Sequence, residues 1–134
     1  MKINRFNENK YCNKFDFIPG KVYQYDELHK KIKNDIDIQF EDNYDYGPED
    51  YDYICTLITP DDNEEYLESM FGEWDIQDAM LHPYMKRLVK TIKERGLDYP
   101  SVGSEGTHRA LAFYIMKKPL PYLQMKLKPE LEEE

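Results

Sequence analysis

Between residues 81 and 128 the spacing of the apolar residues shifts from helical to extended and back. That order restricts the fold more than any other stretch. Leu81, Met85, Leu88 and Ile92, with Tyr84 and Val89 beside them, make one wide apolar stripe at helical spacing. Lys86, Arg87, Lys90 and Lys93 fall mostly on the other side. Pro83 suits the first turn of this helix and Gly96 closes it. Pro100-Ser101-Val102 reads as a short strand entering a loop, Gly103-Ser104-Glu105-Gly106-Thr107-His108-Arg109. Thr107 or Ser104 caps a strongly apolar helix over residues 110–116, with Lys117 and Lys118 at its negative end. Pro119 and Pro121 then break the chain. Residues 122–127 alternate, with Leu123, Met125 and Leu127 on one face and Tyr122, Gln124 and Lys126 on the other.

The first half is less regular. Residues 2–6 read as a strand, followed by an irregular Asn/Lys-rich piece. After Pro19-Gly20, Val22-Tyr23-Gln24-Tyr25 alternates as a short strand. Asp26 is a good N-cap for a helix from Glu27 to about Ile36, with Leu28, Ile32 and Ile36 on one stripe. Residues 37–53 are rich in tyrosine and acid, broken by Gly47-Pro48, and read mostly as loop. Residues 53–59 form the best strand of this half, with Pro60 as its stop. Asp62 and Glu65 resemble a capping box for a helix carrying Tyr66, Leu67, Met70 and Phe71 and ending at Gly72. Trp74 is expected in the core.

At 134 residues the chain is one domain's worth, and that length can bury a core without staples. Residues 1–50 form a less regular N-terminal region, 51–128 the core, and 129–134 an acidic tail. No apolar run is long enough to span a membrane. The N-terminus lacks the apolar stretch of a secretory signal, so a cytoplasmic protein is expected. Cys12 and Cys55 are too few and too far apart for a disulfide framework or a zinc site. Cys55 lies in an apolar run and reads as a buried small hydrophobe; Cys12 is uninformative.

The net charge of −9 is unevenly spread. Residues 41–80 hold fourteen Asp/Glu and no Lys or Arg, whereas residues 81–128 hold ten Lys/Arg against three acids. Net acidity argues against non-specific nucleic-acid binding by the whole molecule. The basic half could still meet a phosphate locally. The acidic segment is expected to neutralise that half within the fold. Its alternative role is an interface for a protein partner, formed by an acidic face holding Tyr44, Tyr46, Tyr51 and Tyr53 with Glu49 and Asp50.

The loop at 103–109 is the stretch that carries chemistry. Amide N–H groups at a helix start lack intrahelical partners, and the helix dipole adds partial positive charge there. Gly103 and Gly106 allow the backbone to approach a ligand closely. Ser104 lies in the same loop, Thr107 supplies a hydroxyl, and His108 and Arg109 add donors at the rim. Together they suit an oxyanion, most often phosphate. The plain structural alternative assigns the glycines to turn geometry, His108 to a cap and Arg109 to a surface salt bridge. Glu105 and His108 are the candidate acid–base residues. Asp61, Asp62, Glu64 and Glu65 could supply a base, although a solvated helix start explains them better. No spacing reads as a dedicated metal site; Mg²⁺ would arrive with a nucleotide.

The order of these elements resembles the ParB/sulfiredoxin superfamily. The matching pieces are Gly96-Leu97-Asp98-Tyr99-Pro100-Ser101-Val102, Gly106-Thr107-His108-Arg109, the apolar helix, Pro119-Leu120-Pro121 and the last strand. The resemblance covers about residues 81–128. It implies a small α+β fold with a mixed sheet and packed helices, whose loop holds nucleotide phosphates. The implied ligand is ATP, ADP or CTP, with hydrolysis or phosphotransfer as the implied activity and a ParB-like nuclease as a weaker alternative. Sulfiredoxins resemble G-G-C-H-R here, and Thr107 replaces the reactive cysteine. Partition proteins carry G-E-R-R, where this chain has Thr107 and His108. Neither family chemistry carries over unchanged.

Overall fold

The computed structural model describes residues 12–40, 45–71, 73–102 and 107–131, except the side chains of residues 70, 71 and 73–75. Along them run β1 (Val22–Gln24), α1 (Lys30–Gln39), β2 (Tyr51–Ile58), α2 (Pro60–Phe71) and α3 (Glu73–Met80). Then follow α4 (Pro83–Arg95), β3 (Ser101–Val102), α5 (Thr107–Met116) and β4 (Leu120–Leu127). The strands form one mixed sheet in the order β1-β2-β4-β3. β2 runs antiparallel to β1 and β4, while β3 runs parallel to β4. The architecture is α+β, as expected. A parallel pair needs a crossover, and α5 supplies it between β3 and β4. The expected strand at 2–6, Gly72 and the side chain of Trp74 lie outside the described residues.

β2 and β4 are the spine, paired from Tyr51↔Leu127 to Ile58↔Leu120. Alternation along them feeds two apolar cores. Tyr53, Cys55 and Leu123 pack with Val102, with Ile32 and Ile36 of α1, and with Cys12, Phe17 and Leu28. Ile58 and Leu120, of opposite parity, join the second core. That core is built around Ala110, Leu111, Ala112 and Phe113 of α5, against Leu67, Ile76, Met85 and Ile92. α5 therefore sits among α2, α3 and α4, which explains its almost unbroken apolar sequence. Cys55 is buried as expected. Cys12 is buried too, in a parallel bridge to Leu97 that lays the chain beside the connection from α4 to β3.

Several element boundaries differ from the expectation, each for a local reason. Asp26 does not cap α1. The Glu27 carboxylate accepts from the Gln24 amide at 2.7 Å and closes a separate 3-10 turn, Tyr25–Glu27. α1 starts three residues later, capped by His29, whose Nδ1 accepts from the Lys31 amide at 3.0 Å. Pro60 does not merely stop β2; it opens α2, where its missing N–H has no cost. The Thr59 hydroxyl accepts from the Asp62 amide at 3.2 Å, so the cap lies three residues before the expected one. Pro119 lies in the expected break between α5 and β4, but Pro121 does not interrupt the chain: β4 begins at Leu120 and contains it, buried opposite Leu57. β3 pairs only with Tyr122 and Leu123, so Pro121 lies beyond the reach of that neighbour. Residues 37–53 are less loop-like than expected, since α1 reaches Gln39 and β2 begins at Tyr51. Leu81 leaves the apolar stripe: it precedes α4 and is 70% exposed. Met85 and Ile92 carry the buried face instead.

Candidate functional site

α4 and α5 are packed so that both begin at the same cavity, of about 620 Å³. His82, Tyr84, Met85 and Arg87 line it from the start of α4, Thr107, His108 and Leu111 from α5, and Ala79 from α3. Its lining combines apolar groups (Ala79, Met85, Leu111 and the ring of Tyr84) with an arginine, two imidazoles and a hydroxyl. Among the described residues no carboxylate lines the cavity, and neither helix has an acid in its first turn.

The local chemistry of the two helix starts differs. At α4 the backbone donors are already used. His82 N–H donates to the Ala79 carbonyl, Pro83 has none, and Met85 N–H donates to the His82 carbonyl. The Tyr84 amide donates to His82 Nδ1 at 3.1 Å. Accepting at Nδ1 places the neutral ring's proton on Nε2, which makes His82 a side-chain donor. α4 therefore contributes its dipole and side chains. At α5, helix geometry leaves the amides of Thr107, His108 and Arg109 without intrahelical acceptors. The exposed His108 ring meets the Tyr84 ring edge-on, with centroids 5.2 Å apart at 76°, a contact that joins the two helix starts.

Of the residues expected from sequence, Thr107 and His108 come together here. Arg109 does not line this cavity. Its Nη1 donates to the Tyr99 carbonyl at 2.8 Å, which ties α5 to the segment before β3. Tyr99 in turn stacks on His29, with centroids 4.8 Å apart. Burial pushes the Cys12 thiol up to about 12, and the nearby Arg109 guanidinium pulls it partly back. Gly103, Ser104, Glu105 and Gly106 lie outside the described residues. Asp61, Asp62 and Glu65 are exposed around the start of α2, and Glu64 lines a different cavity. The structure brings none of these four to the cavity lining. Asn63, beside them, is buried and donates from Nδ2 to the Ala110 carbonyl at 2.8 Å, fastening α2 to α5.

His82, Tyr84 and Arg87 are members that sequence reasoning missed. The spacing puts Arg87 on the solvent face of its helix and Tyr84 beside its apolar stripe, and gives His82 no role. A signal existed: two helices with basic or neutral first turns in a chain so rich in acids. The donor set suits an anion. It offers a divalent cation no carboxylate among the described residues, which also hold no group of three or more His, Cys, Asp or Glu able to bind a metal. Known families, curated proteins and solved structures give no match to this chain, so its site is read from its own geometry.

Proposed function

We propose that the cavity between α4 and α5 binds the phosphate of a nucleotide-sized ligand. The observation that carries this reading is the convergence of two helix starts, Arg87, His82, His108 and Thr107 on one cavity without an opposing acid among the described residues. A helix start favours negative charge, and an arginine beside it matches phosphate oxygens. The apolar members of the lining, with the exposed Tyr84, suit the organic part of such a ligand. The ParB/sulfiredoxin resemblance adds the expectation of a nucleotide, ATP, ADP or CTP, entering with Mg²⁺. Hydrolysis or phosphotransfer would need a base, and no carboxylate lines the cavity among the described residues; of its two imidazoles, His108 is the one whose ring makes no cap contact. Nuclease chemistry draws no support from this lining.

The test is a thermal-shift series with ATP, ADP, CTP, GTP and inorganic phosphate, with and without Mg²⁺. Ligand at a hundred times its Kd stabilises the folded state by about 2.7 kcal/mol, worth several degrees in Tm for a chain of this size. Arg87→Ala should reduce the shift at least severalfold while leaving the ligand-free Tm within about 2 °C. An unchanged shift in that variant would remove the cavity from the account.

A further inference from the structure

A second cavity, of about 420 Å³, lies where α2, α3 and α5 meet. Glu64 and Glu68, one helical turn apart on α2, form one wall together with Tyr114. Ile76, Met80 and Leu81 form the other, and Leu81 is 70% exposed. Two carboxylates four residues apart on a helix repel, so the arrangement is mildly unfavourable unless a cation answers it. None does: among the described residues the one ion pair is Lys21–Asp16, at 3.7 Å. The expectation that the acidic segment neutralises the basic second half is therefore not met by direct pairing. The Tyr114 hydroxyl, pushed up by burial and by the Glu64 carboxylate beside it, stays protonated and offers that carboxylate a donor, not a charge.

The expected tyrosine face is partly buried. Tyr53 is fully buried, with its hydroxyl donating to the Pro48 carbonyl at 2.8 Å. Tyr46 and Tyr51 are half-buried, and Tyr44 lies outside the described residues. Glu64 and Glu68 of the same segment line the groove on α2.

We infer that this groove docks an amphipathic helical segment of a protein partner, one bearing two Lys or Arg a turn apart beside an exposed leucine-type residue. The cations answer Glu64 and Glu68, and the apolar residue covers Leu81 and Met80. Charge complementarity selects the partner and the apolar wall holds it, since exposed ion pairs alone contribute little. On α4 of a second copy, Lys86, Lys90 and Lys93 are exposed while Met85 and Ile92 pack inward, so that helix brings its charge with Tyr84 as its large exposed apolar side chain in place of a leucine-type anchor.

The probe is a fluorescein-labelled helical peptide of leucine and lysine in amphipathic spacing, titrated with the whole protein at 150 mM salt and followed by anisotropy. Binding should weaken at least tenfold in Glu64→Gln/Glu68→Gln and in Leu81→Ser. It should change less than twofold in Asp26→Asn/Glu130→Gln, which removes the same charge from exposed sites outside the groove. Equal weakening in both charge variants would mean that the peptide follows net charge, and would overturn the assignment, as would no binding at all. Sedimentation of the protein alone supplies the other check. A reversible dimer abolished by Leu81→Ser would give the groove to a second copy and overturn the proposed partner.

Discussion

Neighbouring residues in Thr107-His108-Arg109 take different duties because a helix turns by about 100° per residue. Thr107 and His108 face the cavity, and Arg109 is carried round to the Tyr99 carbonyl. The arginine that joins the proposed phosphate site is instead Arg87, on a different helix. Cys12 sits near the inward-facing arginine, and its burial has a consequence for stability. The thiol's pKa rises from 9.0 to about 12 on folding, so the folded chain keeps a proton that the unfolded chain loses first. The contribution is whole below pH 9 and is lost as pH climbs from 9 towards 12, at no more than about 1.4 kcal/mol per pH unit. Urea midpoints should therefore fall between pH 9 and 10.5, and Cys12→Ala should flatten that fall. An unaltered slope in the variant would assign the loss to other groups, Tyr53 among them, whose hydroxyl is also raised by burial.

Helix ends decide much of what the elements do. α5 ends with the Lys118 amide bonded to the Phe113 carbonyl and the Lys117 amide to the Tyr114 carbonyl, and Lys117 sits at φ 59°. This is a Schellman closure in which a lysine occupies the position that glycine fills without strain. Lys117→Gly should stabilise the fold by about 1 kcal/mol in urea or thermal unfolding; a destabilised variant would mean that the lysine side chain outweighs the backbone strain. The apolar periods of α1, α4, α5 and the β strands could be read directly from sequence, because burial imposes them. The caps could not. His29 and Thr59 do the work expected of Asp26 and Asp62, since several polar residues near each end compete for the same amides. Pro60 and Pro121 show the same limit. Whether a proline ends an element depends on which donors the neighbours need, and pairing fixes that.

At the scale of the whole molecule, the acidic and basic segments meet in the sheet, with Asp52 of β2 opposite Lys126 of β4, without closing an ion pair there. The segment without cations forms β2, α2 and α3, the basic segment contributes α4, α5 and β4, and among the described residues no ion pair joins the two. Two cavities flank the corner between α3 and α4, one lined by Arg87, two histidines and the helix starts, the other by two carboxylates with Ile76, Met80 and the exposed Leu81. The phosphate-binding reading was half visible in sequence. Thr107 and His108 stand in a recognisable strand–loop–helix setting, but His82, Tyr84 and Arg87 join them only through the packing of α4 on α5, which no local pattern encodes. The most direct measurement is a ¹H–¹⁵N correlation spectrum of the labelled protein, titrated with ADP and then with inorganic phosphate. The amides of Tyr84, Thr107 and His108 should shift together and saturate with one Kd, with Arg87→Ala weakening that Kd severalfold. Shifts confined to other parts of the chain, or none at these three amides at millimolar ligand, would contradict a phosphate site between α4 and α5.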